Sequence, residues 1–323
     1  MRRREFIAIL SGAAVVPLSA HAEAAPVIGF LSPAQPHPAL LQAFRSRLAE
    51  NGYYEGRNVT IQYRSAEGKY DRLPALAAEL VQLRVDVIVA AGGTMSARTA
   101  KAVTNSIPIV SLGGGDPVRA GLAASLSHPG GNVTGIAQLT TAVEAKRLEF
   151  LRELVPNAET LGYLTNPAAP GTGDQIREVE LGAQTLKVKL RVLKASNEPE
   201  IDNAFATVAK ERIGGITVAG DPFFFAEREQ LVALAERNAV PTIYFFREFA
   251  LTGGLVSYGT NLADAYRHLA NYTAGILAGA KPADLPIMEL NEKIELVVNL
   301  KTAKALGLAI PQSIVARADE VIE

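Results

Sequence analysis

Eight residues carry most of the chemistry this chain can offer: Ser32, Gly93, Thr94, Asp116, Asn166, Asp221, Tyr244 and Tyr258. Each follows, ends or lies within a short apolar run that reads as a β-strand. In an open α/β sheet, ligands bind beyond the carboxyl ends of the strands. Ser32 follows the first run, and Gly92-Gly93-Thr94 the third. Free N–H groups at a helix start favour an anion. With Ser32 and Thr94 they can hold a carboxylate. Asp116 or Asp221 can pair an ammonium, an interaction worth more in a dehydrated cleft than on a surface. Tyr244 and Tyr258 can stack on an apolar side chain or donate hydrogen bonds. The set suits a zwitterion. Each member also has a plain structural use. Asp116-Pro117 and Asp221-Pro222 can cap helices. Asn166-Pro167 is a turn signal. Ser32 can simply end a strand ahead of Pro33. Gly92-Gly93 can be a tight turn, and Tyr258 can be core. The run Phe223-Phe224-Phe225 either walls a pocket or packs beneath one.

The elements that must position these residues alternate along the chain. Val27 to Leu31 is a short apolar strand. Ala39 to Asn51 places Leu40, Leu41, Phe44 and Leu48 at helical spacing, and Gly52 stops it. Strands over 59–63, 85–91 and 107–112 alternate with helices over 71–83 and 94–104. Thr94 is placed to cap the second of these helices. Nearly continuous apolar strands separated by helices indicate a parallel sheet covered on both faces. The Gly- and Pro-rich stretch His128 to Gly135 breaks the rhythm. A second αβ series of similar size then runs to Phe246. The tail adds a strand over 253–258, a helix over 262–277, a strand over 294–300 and a last helix. Sharing these between two lobes makes the chain cross three times, near 138–141, 246–253 and 280–288. The expected fold is therefore α/β: two doubly wound, Rossmann-like lobes joined by a three-crossing hinge. Residues 26–140 plus 247–284 would form one lobe, and 141–246 plus 285–323 the other. Several crossings make a hinge about which rigid lobes close on a ligand.

Composition narrows the function classes. The formal charge is −1 and no Lys/Arg cluster follows Arg4, so nothing attracts nucleic acid or an anionic membrane. The chain contains no cysteine, which removes thiol catalysis, disulfides and a lipid anchor on an N-terminal cysteine. His37, His128 and His268 are far apart, so no metal site or cofactor is expected. There is no Gly-x-Ser-x-Gly elbow and no Walker loop, and Gly113-Gly114-Gly115 lacks dinucleotide-fingerprint spacing. Nothing sets the separation of Asp116 and Asp221 as a hydrolytic carboxylate pair. At the other end of the chain, Arg2-Arg3-Arg4, the apolar run Phe6 to Leu18 and Ala20-His21-Ala22 have the layout of an export signal removed after residue 22 or, since Ala22-Glu23-Ala24 fits equally, after Ala24. Arg3-Arg4 resembles a twin-arginine signal, though Arg2 precedes the pair and no Lys follows.

Several segments carry a family resemblance. They include Gly29-Phe30-Leu31-Ser32, Gly52-Tyr53-Tyr54-Glu55-Gly56-Arg57-Asn58-Val59, Gly115-Asp116-Pro117-Val118 and His128-Pro129-Gly130-Gly131-Asn132-Val133-Thr134-Gly135. Lys146-Arg147-Leu148-Glu149, Gly254-Leu255-Val256-Ser257-Tyr258-Gly259 and the closing Leu296-Val297-Val298-Asn299-Leu300-Lys301 belong with them. In that order, from Gly29 to Glu323, the chain resembles type I periplasmic solute-binding proteins of ABC importers, in the branch that includes tryptophan- and tyrosine-type members. The resemblance implies two α/β lobes, a small molecule in the cleft, no catalysis, a periplasmic location and delivery to a membrane permease. An amino acid or aromatic acid is the expected solute, and a monomer the expected state. The same fold also serves ligand-sensing lobes of membrane receptors.

Overall fold

The computed structural model describes residues 25–138, 141–169, 171–290 and 294–323. The export signal expected at residues 1–22 lies outside them. Two sheets form the frame. The first contains β1 (Val27–Ser32), β2 (Thr60–Ser65), β3 (Val87–Ala90), β4 (Ile109–Gly113) and β5 (Val133–Ala137). The second contains β6 (Thr160–Thr165), β7 (Lys189–Lys194), β8 (Ile216–Val218), β9 (Thr242–Tyr244) and β10 (Val256–Thr260). Then β11 (Met288–Glu289) returns to the first sheet, whose order is β11-β5-β4-β3-β1-β2. β12 (Ile294–Asn299) and β13 (Glu320–Ile322) complete the second, in the order β13-β12-β10-β9-β8-β6-β7. All named pairings are parallel except β10 with β12. The two-lobe, mostly parallel architecture is the one expected.

The central strands β1, β3, β4 and β5 of the first sheet are buried along nearly their whole length. This is why they read as continuous apolar runs rather than alternating ones. Helices cover them. The helix Pro38–Glu50 buries Leu40, Leu41, Phe44 and Leu48, the stripe expected from its spacing. Phe30 of β1 meets Phe44 edge-on at 5.6 Å and reaches Tyr266 at 6.3 Å. Tyr266 belongs to the helix Leu262–Leu277, so this late segment returns to the first lobe.

Two expectations about the tail are corrected. The strand near 253–258 was assigned to the first lobe, yet β10 lies in the second sheet between β9 and β12. The helix after it goes back, followed by β11. The second crossing consequently falls at Thr260–Leu262 rather than 246–253, and the third between β11 and β12 rather than 280–288. The reason is pairing: β10 has β9 on one side and an antiparallel β12 on the other. The first crossing falls between the end of β5 at Ala137 and the helix Thr141–Leu154. There Gln138 Nε2 donates to Thr260 Oγ1 at 3.0 Å, tying the first crossing to the second.

Candidate functional site

Both sheets have the strand order 2-1-3-4-5 within their parallel part, so each has a topological switch point beside its first strand. In the first sheet, the switch lies between the ends of β1 and β3, at Ser32 and Gly92-Gly93. In the second, it lies between β6 and β8, at Asn166 and Asp221. The two switch points meet across the interlobe cleft. Gly93 has φ +118° and caps the helix Thr94–Val103. A Cβ on Gly93 would stand 3.6 Å from Pro222 Cγ in the other lobe. A Cβ on Gly92 would come within 2.8 Å of Pro33 Cδ. Glycine here lets the backbone approach closely in a conformation other residues avoid.

The cleft has two compartments that share Gly92, Gly93, Gly114, Gly220, Asp221 and Pro222. One, with a free volume of ≈ 100 Å³, is mostly apolar, walled by Leu40, Val143, Phe225, Phe246, Leu262 and Tyr266. Its polar lining includes Ser32, Gln35, Gln138, Arg147, Asp221 and Thr260. The other, of ≈ 330 Å³, is the more polar of the two and is lined by Tyr70, Thr94, Arg98, Asp116, Arg119 and Asp174 among others.

Asp221 is 3% exposed and starts the short helix Pro222–Ala226. Its Oδ1 accepts from Phe223 N at 2.9 Å and from Asn166 Nδ2 at 3.1 Å. Its Oδ2 accepts from the Tyr70 hydroxyl at 3.0 Å. Burial pushes this carboxyl above its ordinary range, although these donors pull the other way. The Tyr70 hydroxyl is raised too, by burial and by the Asp221 carboxylate beside it.

Arg147 is 1% exposed, on the helix Thr141–Leu154 just past the first crossing. Its Nη1 donates to Glu144 Oε2 at 2.7 Å, and its Nε to the Tyr258 carbonyl at 2.9 Å. Glu144 Oε1 accepts from Gly220 N at 3.3 Å. Burial drives Glu144 upward against the pull of Arg147. The guanidinium thus lines an apolar chamber with one nitrogen committed to Glu144 and another to the backbone. Its Nη2 makes no hydrogen bond among the described residues.

Of the eight sequence candidates, five line the cleft: Ser32, Gly93, Thr94, Asp116 and Asp221. Asn166 touches it through Asp221. Several are already engaged. Ser32 Oγ donates to Ala34 O at 2.6 Å. Asp116 is exposed, and its Oδ1 caps a turn by accepting from Val118 N at 2.8 Å. Thr94 is not a helix cap. It is the first helical residue, and the cap before it is Gly93, which has no side chain.

Tyr244 and Tyr258 are not brought to the cleft. Tyr244 is fully buried and stacks on Phe249 at 4.6 Å, between β9 and the helix Arg247–Leu251. Tyr258 meets Phe150 edge-on at 4.9 Å. The next residue after each, Phe245 or Gly259, lines the chamber instead. Of the triple phenylalanine, Phe225 walls the apolar chamber while Phe223 and Phe224 are packed inside. Reading strand ends missed Arg147 and Tyr70, because neither follows a strand directly. Arg147 sits in the segment Lys146-Arg147-Leu148-Glu149, noted only for its resemblance to relatives.

No helix among the described residues is long and apolar enough to cross a membrane. No cluster of metal-ligating side chains occurs among them.

Comparison with known proteins agrees with this architecture. A tyrosine-binding protein from Clostridioides difficile (strain R20291) is 27% identical over 275 residues, covering 84% of this chain and 78% of its own. A Streptococcus pneumonia ABC domain solved in complex with L-Trp superposes with a TM-score of 0.82 at 26% identity, covering 92% of this chain and 99% of that one. A ligand-free, open substrate binding protein with adhesive properties from Clostridium difficile gives a TM-score of 0.63 at 25% identity, over 92% and 99% of the two chains. Residues 32–322 match one sequence family along almost their whole length, and the chain belongs to it: the ABC transporter substrate binding proteins.

Proposed function

We propose that the protein is an exported receptor for a free amino acid with an apolar, preferably aromatic, side chain, which it delivers to the permease of an ABC importer. The observation that carries this reading is that two buried side chains of opposite charge, Arg147 and Asp221, line one mostly apolar chamber. A zwitterion offers the complement of each. In this reading Asp221 accepts the ammonium. Arg147 Nη2, helped by the backbone around Gly93 and Thr94, receives the carboxylate. The walls formed by Leu40, Phe225, Phe246, Leu262 and Tyr266 take the side chain. Charge-assisted bonds made in such a dry setting are about twice as strong as neutral ones. The chamber volume of ≈ 100 Å³ suits a single small solute rather than an oligomer. The relatives that bind tyrosine and L-Trp support the same class. The layout of residues 1–22 supports export.

Thermal unfolding tests the proposal. The mature protein is refolded from denaturant to strip carried-over ligand, then melted against L-tyrosine, L-tryptophan, L-phenylalanine, branched amino acids, aromatic acids and sugars. An amino acid at a hundred times its Kd should add about 2.7 kcal/mol of stability. A melting shift with sugars alone would overturn the reading.

A further inference from the structure

We propose that Tyr70 is the latch of this cleft, a positioning residue that holds the lobes closed and sets how long a ligand stays. The inference rests on the receptor reading above for its ligand, but not for its geometry.

Tyr70 begins a short turn, Tyr70–Arg72, that packs against the core of the first lobe. Asp221 belongs to the second lobe. Their 3.0 Å bond is, among the described residues, the one side-chain hydrogen bond joining the lobes away from the crossings. The other polar side-chain link between lobes, Gln138 to Thr260, lies at the hinge itself. None of the ion pairs among the described residues joins the lobes. A single phenol therefore supplies the polar specificity of closure.

The acceptor is suited to the task. Both bonds to Oδ1 come from the second lobe, from Phe223 N and Asn166. They persist whether the lobes are open or closed. Oδ2 receives its donor from across the cleft. On opening, water replaces that donor. On closing without it, a nearly buried carboxylate oxygen would lose a partner, which is costly. The backbone supports the same contact: Gly93 and Pro222 face each other across the cleft beside the latch, where a Cβ on Gly93 would stand 3.6 Å from Pro222 Cγ. Tyr70 lines the polar compartment and not the apolar chamber, so a ligand in the chamber need not touch it. A contact made only after closure slows escape and leaves encounter unchanged.

The absence of cysteine makes the test clean. Val118→Cys and Leu181→Cys, at exposed positions in different lobes, carry a fluorophore pair that reports the closed fraction. In Tyr70→Phe the ligand-free closed fraction should fall. The dissociation rate of L-tyrosine or L-tryptophan should rise about tenfold, with the association rate within about twofold. In an Asp221→Ala background, the ligand-free closed fraction should no longer respond to Tyr70→Phe, since the partner is gone. An unchanged closed fraction and dissociation rate in Tyr70→Phe would overturn the latch. So would an equal response in the Asp221→Ala background. If the unsubstituted protein binds neither amino acid, the amino-acid reading fails, and the ligand-free closed fraction alone decides the latch.

Discussion

Arg147 and Glu144 illustrate how a buried pair can serve a site while threatening the fold. Both are essentially excluded from solvent, so each depends on the other to offset lost hydration. Arg147→Met should destabilise the protein by about 3–5 kcal/mol at neutral pH, because it leaves Glu144 charged and unpaired inside the second lobe. The pH dependence has a definite sign. Burial already raises the Glu144 carboxyl above its ordinary 4.5, and removing Arg147 takes away its largest opposing influence. The folded state then binds a proton more tightly than the unfolded state. Stability lost by Arg147→Met is therefore recovered as pH falls through the raised value, and the gain levels off near 4.5, where the unfolded chain also protonates. Denaturant melts from neutral pH to pH 5 measure this. Glu144→Gln together with Arg147→Met should restore much of the loss at neutral pH. A single-variant loss that does not shrink on acidification would mean that Glu144 is not the unpaired charge.

At the scale of elements, backbone approach matters as much as side chains. Gly135 of β5 has φ +131°, and a Cβ there would stand 2.2 Å from the Ser111 carbonyl oxygen of β4. The neighbour is backbone within a ladder and has no room to yield. Gly135→Ala should cost about 2–4 kcal/mol in a denaturant melt. Gly131→Ala, in the same Gly-rich segment but with nothing near its Cβ position, should change stability by no more than about 0.5 kcal/mol. Equal effects would remove the steric explanation. The strand ends at the switch points were legible in the sequence because an apolar run followed by Gly-Gly, Asn-Pro or Asp-Pro marks both the strand and its stop. That pattern delivered Gly93, Asn166 and Asp221, and Ser32 came from the Ser-Pro that ends the first run. Tyr244 and Tyr258 were misjudged because one residue of register decides which face of a strand a side chain takes, and short strands such as Thr242–Tyr244 give no periodicity to fix it. Arg147 was silent because neighbouring Lys146 has the same charge. Only packing of the helix Thr141–Leu154 makes one of them buried and leaves the other partly exposed. The lobe to which β10 belongs was equally hidden, since an apolar strand does not name its partners.

The whole molecule depends on the chain returning to its first lobe. The helix Leu262–Leu277 packs on Pro38–Glu50 and the first sheet, burying Leu262, Tyr266, Leu269 and Ile276 along with several smaller residues. Those four large side chains alone contribute roughly 6–12 kcal/mol, at about 1.5–3 kcal/mol each. That is comparable with the entire net stability of a typical domain, about 5–15 kcal/mol. The next element, β11, then pairs with β5 at the sheet edge, and Leu290 N donates to the Ala137 carbonyl at 3.0 Å. A fragment of residues 25–138 therefore contains five strands of the first sheet but leaves Phe30 and Phe44 without their late-arriving cover. It should lack a cooperative thermal transition by circular dichroism. The same fragment joined to residues 262–290 by a flexible glycine-serine linker should regain one, because the linker restores the missing helix and strand without the second lobe. If residues 25–138 alone melt cooperatively near the temperature of the joined form, the first lobe is a self-sufficient unit and the returning helix only decorates it. If the joined form alone does so, the crossings are part of how the first lobe folds as well as how the two lobes move.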